Sequence, residues 1–303
     1  MKPKPIFFLL VAFVISSPSF AQEEDLLGLV GEDKPKREGV FNAFKSSRVI
    51  MSHSMEMLRP GVLDFRILHR FGLINQGVSE LFGLDDATIR LGFDYGISNK
   101  LTVGFGRAGY KKELDAFVKY RPIQQSTGPK ASPVSALVLG GTTLSTLKFS
   151  DTSRKNFFSS RMSYYGQAII GRKFSEAFTL QIMPTMVHRN LVFTSDDPSD
   201  VYAVGIGSRL KLSKRISLNV DYYYVVNQDQ FYTSLTDKLK LHNPLSVGFD
   251  IETGGHVFQL HFTNAVGMNE RVFITETTND WGNGDIQFGF NISRAFQIKK
   301  KKT

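Results

Sequence analysis

The chain has 303 residues, with 37 Lys and Arg against 28 Asp and Glu, and no cysteine. Lacking cysteine, it has no disulfide, thiolate nucleophile, Cys-ligated zinc or acylated N-terminal cysteine, so any chemistry uses oxygen and nitrogen groups. Two of the +9 formal charges are Lys2 and Lys4, and four more are Lys299, Lys300, Lys301 and Lys302. That leaves +3 for the rest of the chain, and nucleic acid is not expected as a partner.

In chain order, residues 1–21 read as a cleaved signal peptide. Lys2 and Lys4 form a basic start, Ile6 to Ile15 an apolar run, and Ser19-Phe20-Ala21 a small-x-small cleavage site before Gln22. After Ala21 no apolar stretch approaches the roughly 20 residues of a membrane helix, so the mature chain is either soluble or crosses a membrane as strands. Residues 22–58 read as a periplasmic lead-in with a short helix around Leu26, Leu27 and Val30. Within it, Val49 to Leu58 is either a partial strand or a piece that enters a lumen.

From residue 59 to 298 the dominant pattern has period two. In Ala87 to Ile97, Ile89, Leu91, Phe93, Tyr95 and Ile97 share one face while Thr88, Arg90, Gly92, Asp94 and Gly96 share the other. Leu101, Val103 and Phe105 continue it after the turn Ser98-Asn99-Lys100, which makes a hairpin. The pattern recurs in Ile216 to Tyr224, in Leu245 to Ile251, and in Ile286 to Ile292. Short turns at 59–61, 98–100, 175–177, 213–215 and 253–255 alternate with longer loops near 72–86, 150–160, 190–200, 227–243 and 265–284. Outer-membrane barrels place short turns on the periplasmic rim and long loops on the other. The connection from Gln124 to Pro133 is too long for its rim. The strands number about 12, or 14 if one is missed, and residues 299–303 are a basic tail. The predicted fold is all-β, an antiparallel up-and-down transmembrane barrel.

The polar face carries Gly92, Gly96, Gly104, Gly106, Gly205, Gly207, Gly248 and Gly289. Small residues gain nothing on a solvated surface but leave room on a concave inner wall for Arg and Tyr from neighbouring strands. Tyr95, Tyr120, Tyr202, Tyr222 and Tyr224 follow the apolar face, as a membrane-interface girdle would. On this parity Phe93→Arg impairs assembly whereas Gly92→Ser is tolerated.

The stretches Gly61-Val62-Leu63-Asp64-Phe65-Arg66, His69-Arg70-Phe71-Gly72 and Phe82 to Gly92, with Lys119-Tyr120-Arg121 and Gln125 to Lys130, resemble an uncharacterised family of Gram-negative outer-membrane β-barrels. That family is known as domain of unknown function 5777. The resemblance implies the barrel and transfers no catalytic or binding residue.

Facing inward are charges of both signs: Asp64, Arg66, Arg90, Asp94, Asp115, Lys119, Arg209, Asp221 and Asp250. They are candidates for a lumen network, with Asp64 and Arg66 expected to stand opposite Arg90 and Asp94, each acid facing a base. Mixed signs favour cross-strand pairing over a one-signed selectivity ring. Ser52-His53-Ser54 and His261-Phe262-Thr263 come nearest to a nucleophile beside a base, yet sit in alternating patterns without a third member. The six histidines show no metal-ligand spacing. No catalytic residue, cofactor or metal is therefore expected. The resulting expectation is a monomeric outer-membrane pore or transport barrel for small solutes, with lipid and the barrel-assembly machinery as partners. A non-conducting structural or docking barrel is the alternative, and an outer-membrane lipid hydrolase a weaker one.

Overall fold

In the computed structural model, residues 36–149, 152, 153, 155–192, 197–226 and 240–299 are described. The signal peptide, the helix near Leu26, most of the 227–243 loop and the end of the basic tail lie outside them. Twelve strands form the fold: β1 Val62–Leu73, β2 Ala87–Ser98, β3 Leu101–Ala108, β4 Glu113–Ile123, β5 Ser135–Ser145 and β6 Met162–Lys173, then β7 Phe178–Arg189, β8 Asp200–Lys211, β9 Ile216–Val225, β10 Leu245–Thr253, β11 His256–Thr263 and β12 Gln287–Gln297. Each pairs antiparallel with its sequence neighbours, and β12 pairs with β1 to close the barrel. Closure leaves no unpaired edge, which is what a sheet in hydrocarbon requires. Among the described residues no helix is long and apolar enough to cross a membrane.

Successive side chains in a strand point to opposite faces, so burial along β2 identifies inside and outside. Arg90 and Asp94 are fully buried while Phe93 is 45% exposed. The same inversion holds around the wall, with Phe105, Val118, Ile182, Ile206, Phe249 and Leu260 all outward. A soluble barrel has its apolar set inside; this one turns it out toward lipid.

Glycine on the inner wall makes room for large neighbours. A Cβ on Gly106 would lie 2.2 Å from the Arg90 guanidinium, one on Gly141 2.2 Å from the Tyr165 ring, and one on Gly205 2.6 Å from the Tyr223 ring. Gly92 belongs to this set, because its Cβ would meet Arg90 Nη1 at 2.7 Å. The inner-wall placement expected for Gly92 holds, and serine there meets only the far end of the Arg90 side chain, the next nearest atom being 3.5 Å away.

Long and short connections alternate as the sequence predicts. The long connection after β4 has a structural reason. Its Ser126–Thr127 pairs with Glu38–Gly39, Val40 donates to the Gln125 carbonyl at 2.8 Å, and Arg37 Nε donates to Ser126 Oγ at 2.9 Å. The connection thus receives the N-terminal segment at the short-turn rim. From there residues 43–58 run inside the barrel, with Val49, Ile50, Met51, Ser52, His53 and Ser54 all at 0% exposure. A turn from Val49 to Ser52, bridged between Arg48 and His53, folds this plug into a tight hairpin. From the other rim the connection between β11 and β12 folds inward and carries α1 (Glu270–Thr275), every residue of which is buried.

Candidate functional site

The site is the filled lumen, and its wall side chains hold the plug chiefly by its backbone. Asp221, mid-way along β9, accepts from the N–H groups of Ile50 at 3.3 Å, Met51 at 2.9 Å and Ser52 at 2.8 Å, and from Ser52 Oγ at 2.9 Å. Lys119 on β4 donates to the carbonyls of Ser54 at 2.9 Å and Glu56 at 2.7 Å. Gln181 on β7 takes the Met55 N–H and gives to the His53 carbonyl, both at 2.8 Å. Asn291 on β12 donates to the Ile50 carbonyl at 3.0 Å, and Gln259 on β11 to that of Val49. Arg209 and Thr179 share the Ala43 carbonyl at 3.3 and 2.9 Å. Buried backbone groups cost free energy unless paired, so a segment without its own ladder depends on these side chains.

All nine candidate charges are inward and buried. Lys119, Arg209 and Asp221 bind the plug as above, while Asp250 accepts from Gln259 at 2.6 Å within the wall. The other five form two groups whose pairing differs from expectation. In register, Asp64 stands opposite Asp94 and Arg66 opposite Gly92, so acid faces acid. Arg66 offsets both by reaching Asp64 at 2.5 Å and Asp94 at 3.4 Å, and it binds Ser46 and Ser47 of the plug at 2.9 and 2.8 Å. Arg90 belongs instead to Asp115, two strands away on β4, through a two-pronged contact at 2.8 and 2.5 Å. Gly106 on the intervening β3 is the gap across which it reaches. Sequence pairing missed this because it assumed adjacent strands.

Plug and inward loop meet at mid-lumen. Arg48 Nη1 lies 3.2 Å from Glu270 Oε1, and His53 Nε2 lies 3.7 Å from the same oxygen. His53 packs edge-on against Phe117 at 4.3 Å. Burial, then the positive charges of Arg48, Lys119, Arg66 and Arg90, hold His53 well below the usual histidine range. Burial raises the Glu270 carboxyl, and Arg48 opposes that rise. At the long-loop rim Arg271 joins Glu113 at 2.5 Å and Glu276 at 2.6 Å. Ser52-His53-Ser54 lies in the plug hairpin, not a wall strand, and neither ring nitrogen of His53 or His261 has a hydrogen-bond partner.

Sequence reasoning missed Gln181, Gln259, Asn291, Arg48 and Glu270, whose residue types do not announce a role. Two signals were present. Met51, Met55 and Met57 place three of the chain's 8 methionines within seven residues, and Val272-Phe273-Ile274 interrupts a loop read as polar. Flexible thioethers and an apolar triplet both suit an irregular interior. Below the plug, at the short-turn rim, a cleft of about 410 Å³ remains, lined by Lys45, Glu56, Arg59, Asp64, Arg66 and Glu252.

Comparison with curated proteins finds no match. Among solved structures the chain is similar to the NanC porin, at 10% identity over 78% of this chain and 100% of that one, TM-score 0.47. It is likewise similar to an outer membrane channel from Pseudomonas putida F1, at 13% identity over 80% and 98%, TM-score 0.47. A third is the outer membrane protein Omp33 of Acinetobacter baumannii, at 11% identity over 80% and 100%, TM-score 0.38. The family model described as "Membrane bound beta barrel domain (DUF5777)" matches residues 44–296, taking in all but the first residue of the plug and all but the last residue of the wall, and the chain belongs to that family.

Proposed function

We propose that this protein is an outer-membrane transport barrel for small polar solutes, closed at rest by residues 43–58 and opened when they leave the lumen. One observation carries the reading: seven wall side chains serve the plug's backbone, from Asp221, Lys119, Gln181, Asn291, Gln259, Arg209 and Thr179. A wall meant to be filled for good gains more from apolar packing. One that holds its plug by hydrogen bonds exchanges them for water or solute and stays polar when emptied. The inward loop behaves differently. Phe273 and Ile274 pack into an apolar patch with Tyr165, Met183, Val187, Val201 and Tyr223, which suits a fixed constriction.

The same apolar patch continues to Val49, Ile50 and Met51 of the plug, and that continuity favours a second reading, a permanently sealed structural barrel. Planar-bilayer recording separates the two. Under the first, wild-type protein is silent and a chain lacking residues 37–58 conducts in discrete steps. A correctly assembled deletion that stays silent refutes the transport reading. For a lipid hydrolase, among the described residues no hydroxyl is hydrogen-bonded to His53 or His261, so neither supplies the nucleophile–base pair that reading needs.

A further inference from the structure

Nearly every buried cation in the lumen has a carboxylate or a plug carbonyl in reach. Arg66 has Asp64, Arg90 has Asp115, Arg48 has Glu270, Arg271 has Glu113, Lys119 has two carbonyls. Arg70 on β1 differs. It is 0% exposed, and among the described residues no carboxylate forms an ion pair with it. One nitrogen, Nη1, donates to the His69 carbonyl at 2.9 Å and to Asn291 Oδ1 at 3.0 Å. Nε and Nη2, three N–H donors together, have no partner.

Beside it stands a second buried group in the same condition. His261 on β11 is 1% exposed and neither of its ring nitrogens makes a hydrogen bond of regular geometry, the Gln259 backbone being the nearest polar group to act on the ring and leaving the other nitrogen for a ligand. Register explains why the two converge: Gly289 on β12 is directly opposite both Arg70 and His261. A Cβ on Gly289 would lie 2.6 Å from His261 Nε2 and 2.9 Å from Arg70 Cδ. On the other side of His261, Gly248 is again the in-register neighbour. Absent side chains thus let a guanidinium and an imidazole lean together over one glycine.

An unpaired buried guanidinium carries a large desolvation penalty, and Arg70, with two of its three nitrogens unpartnered and no ion pair, is the kind of group a counterion relieves. We propose that Arg70 and His261 form a small-anion site in the lumen wall, taking one monovalent anion of halide size. Arg70 Nε and Nη2 donate to it, and a neutral His261 adds one ring N–H, so a single negative charge balances the single fixed positive one. Asp221, the acid that acts on Arg70 from a distance, is already committed to four plug contacts and does not substitute for it. The proposal is independent of whether the barrel conducts.

The test uses the full mature chain refolded in detergent in sodium gluconate, whose bulky anion does not fit, and titrated with sodium bromide at constant ionic strength. The readout is the temperature at which the fast-migrating folded band is lost. Wild type shows a saturable rise with bromide, as a ligand that binds only the folded state produces. Arg70→Gln and Gly289→Ala each lose the saturable rise, the second with every charge retained. Arg121→Gln, which removes a different buried cation, keeps it. Crystals of wild type grown in bromide show anomalous density between Arg70 and His261, which keeps the test decisive if Arg70→Gln does not assemble. Identical responses to bromide and gluconate, an undiminished rise in Gly289→Ala, or no anomalous peak each overturn the site.

Discussion

Removing the Asp221 carboxylate tests the plug most directly. In Asp221→Ala three backbone N–H groups and the Ser52 hydroxyl lose an ionised acceptor in a site with 0% exposure. Hydrogen bonds to charged groups contribute about 1.5 to 3 kcal/mol net each, and the 3.3 Å contact from Ile50 counts for less, so the seated plug loses about 5 to 9 kcal/mol. At roughly 1.4 kcal/mol per tenfold, that shifts the seated-to-unseated ratio by about 10³ to 10⁶. Asp221→Asn keeps one acceptor oxygen and loses about half as much. Trypsin reads the change, because Arg48 is buried when the plug is seated and becomes cleavable when it leaves. The folded, fast-migrating band establishes that the barrel itself is intact. Cleavage at Arg48 no faster in Asp221→Ala than in wild type, in a barrel still folded, refutes the reasoning.

Three further outcomes follow from the wall and the mid-lumen cluster. Phe93→Arg, on the lipid face, costs about 2 to 4 kcal/mol at mid-depth and lowers the yield of folded barrel in reconstitution. Arg90→Ala strands the Asp115 carboxylate and destabilises the barrel by about 3 to 5 kcal/mol, and Arg90→Ala with Asp115→Ala restores much of that in a denaturation series. Low pH loosens the plug: His53, held neutral by burial and the four cations around it, refuses a proton that the unseated segment accepts, so its contribution is present above the ordinary histidine value and declines as pH falls below about 6.5. Glu270, raised by burial, has the opposite sign, favouring the seated state below the ordinary carboxylate value and losing that contribution as pH rises through its own. The two contributions oppose each other as pH falls, and the histidine's part is read by difference: from about pH 7.5 to about 5.5 tryptic cleavage at Arg48 rises more in wild type than in His53→Gln.

Much of the wall was legible because one rule governs it. The alternation in Ala87 to Ile97 assigned Phe93 outward and Asp94 inward without any knowledge of partners, since a strand has only two faces. Partnering was harder. Arg90 and Asp115 meet across Gly106, and nothing in the spacing of 90 and 115 says that the intervening strand offers a glycine there. The plug was legible only as one of two alternatives, a partial strand or a piece that enters a lumen. Val49 to Leu58 carries apolar residues on both parities because it is enclosed on every side, so period two could not decide between them. Even so, the overlong connection from Gln124 to Pro133 stood out as a departure from barrel regularity, and it is where the N-terminal segment docks.

The plug's seat also bears on the order in which the molecule is built. Residues 43–58 precede the wall in the chain, yet the partners of Met55, Ser52, Val49 and Ile50 lie 126, 169, 210 and 241 positions later. Gln259 and Asn291 sit on the last two strands, one of which forms the closing seam with β1. The hairpin therefore has no complete binding surface until the wall is all but finished, and a segment that precedes the wall in the chain is the last to complete its contacts. Long closures cost entropy only logarithmically, so this delay is kinetic more than energetic. In the interval the barrel is a finished wall around an open, charged interior, and insertion into lipid can be complete before the passage is shut.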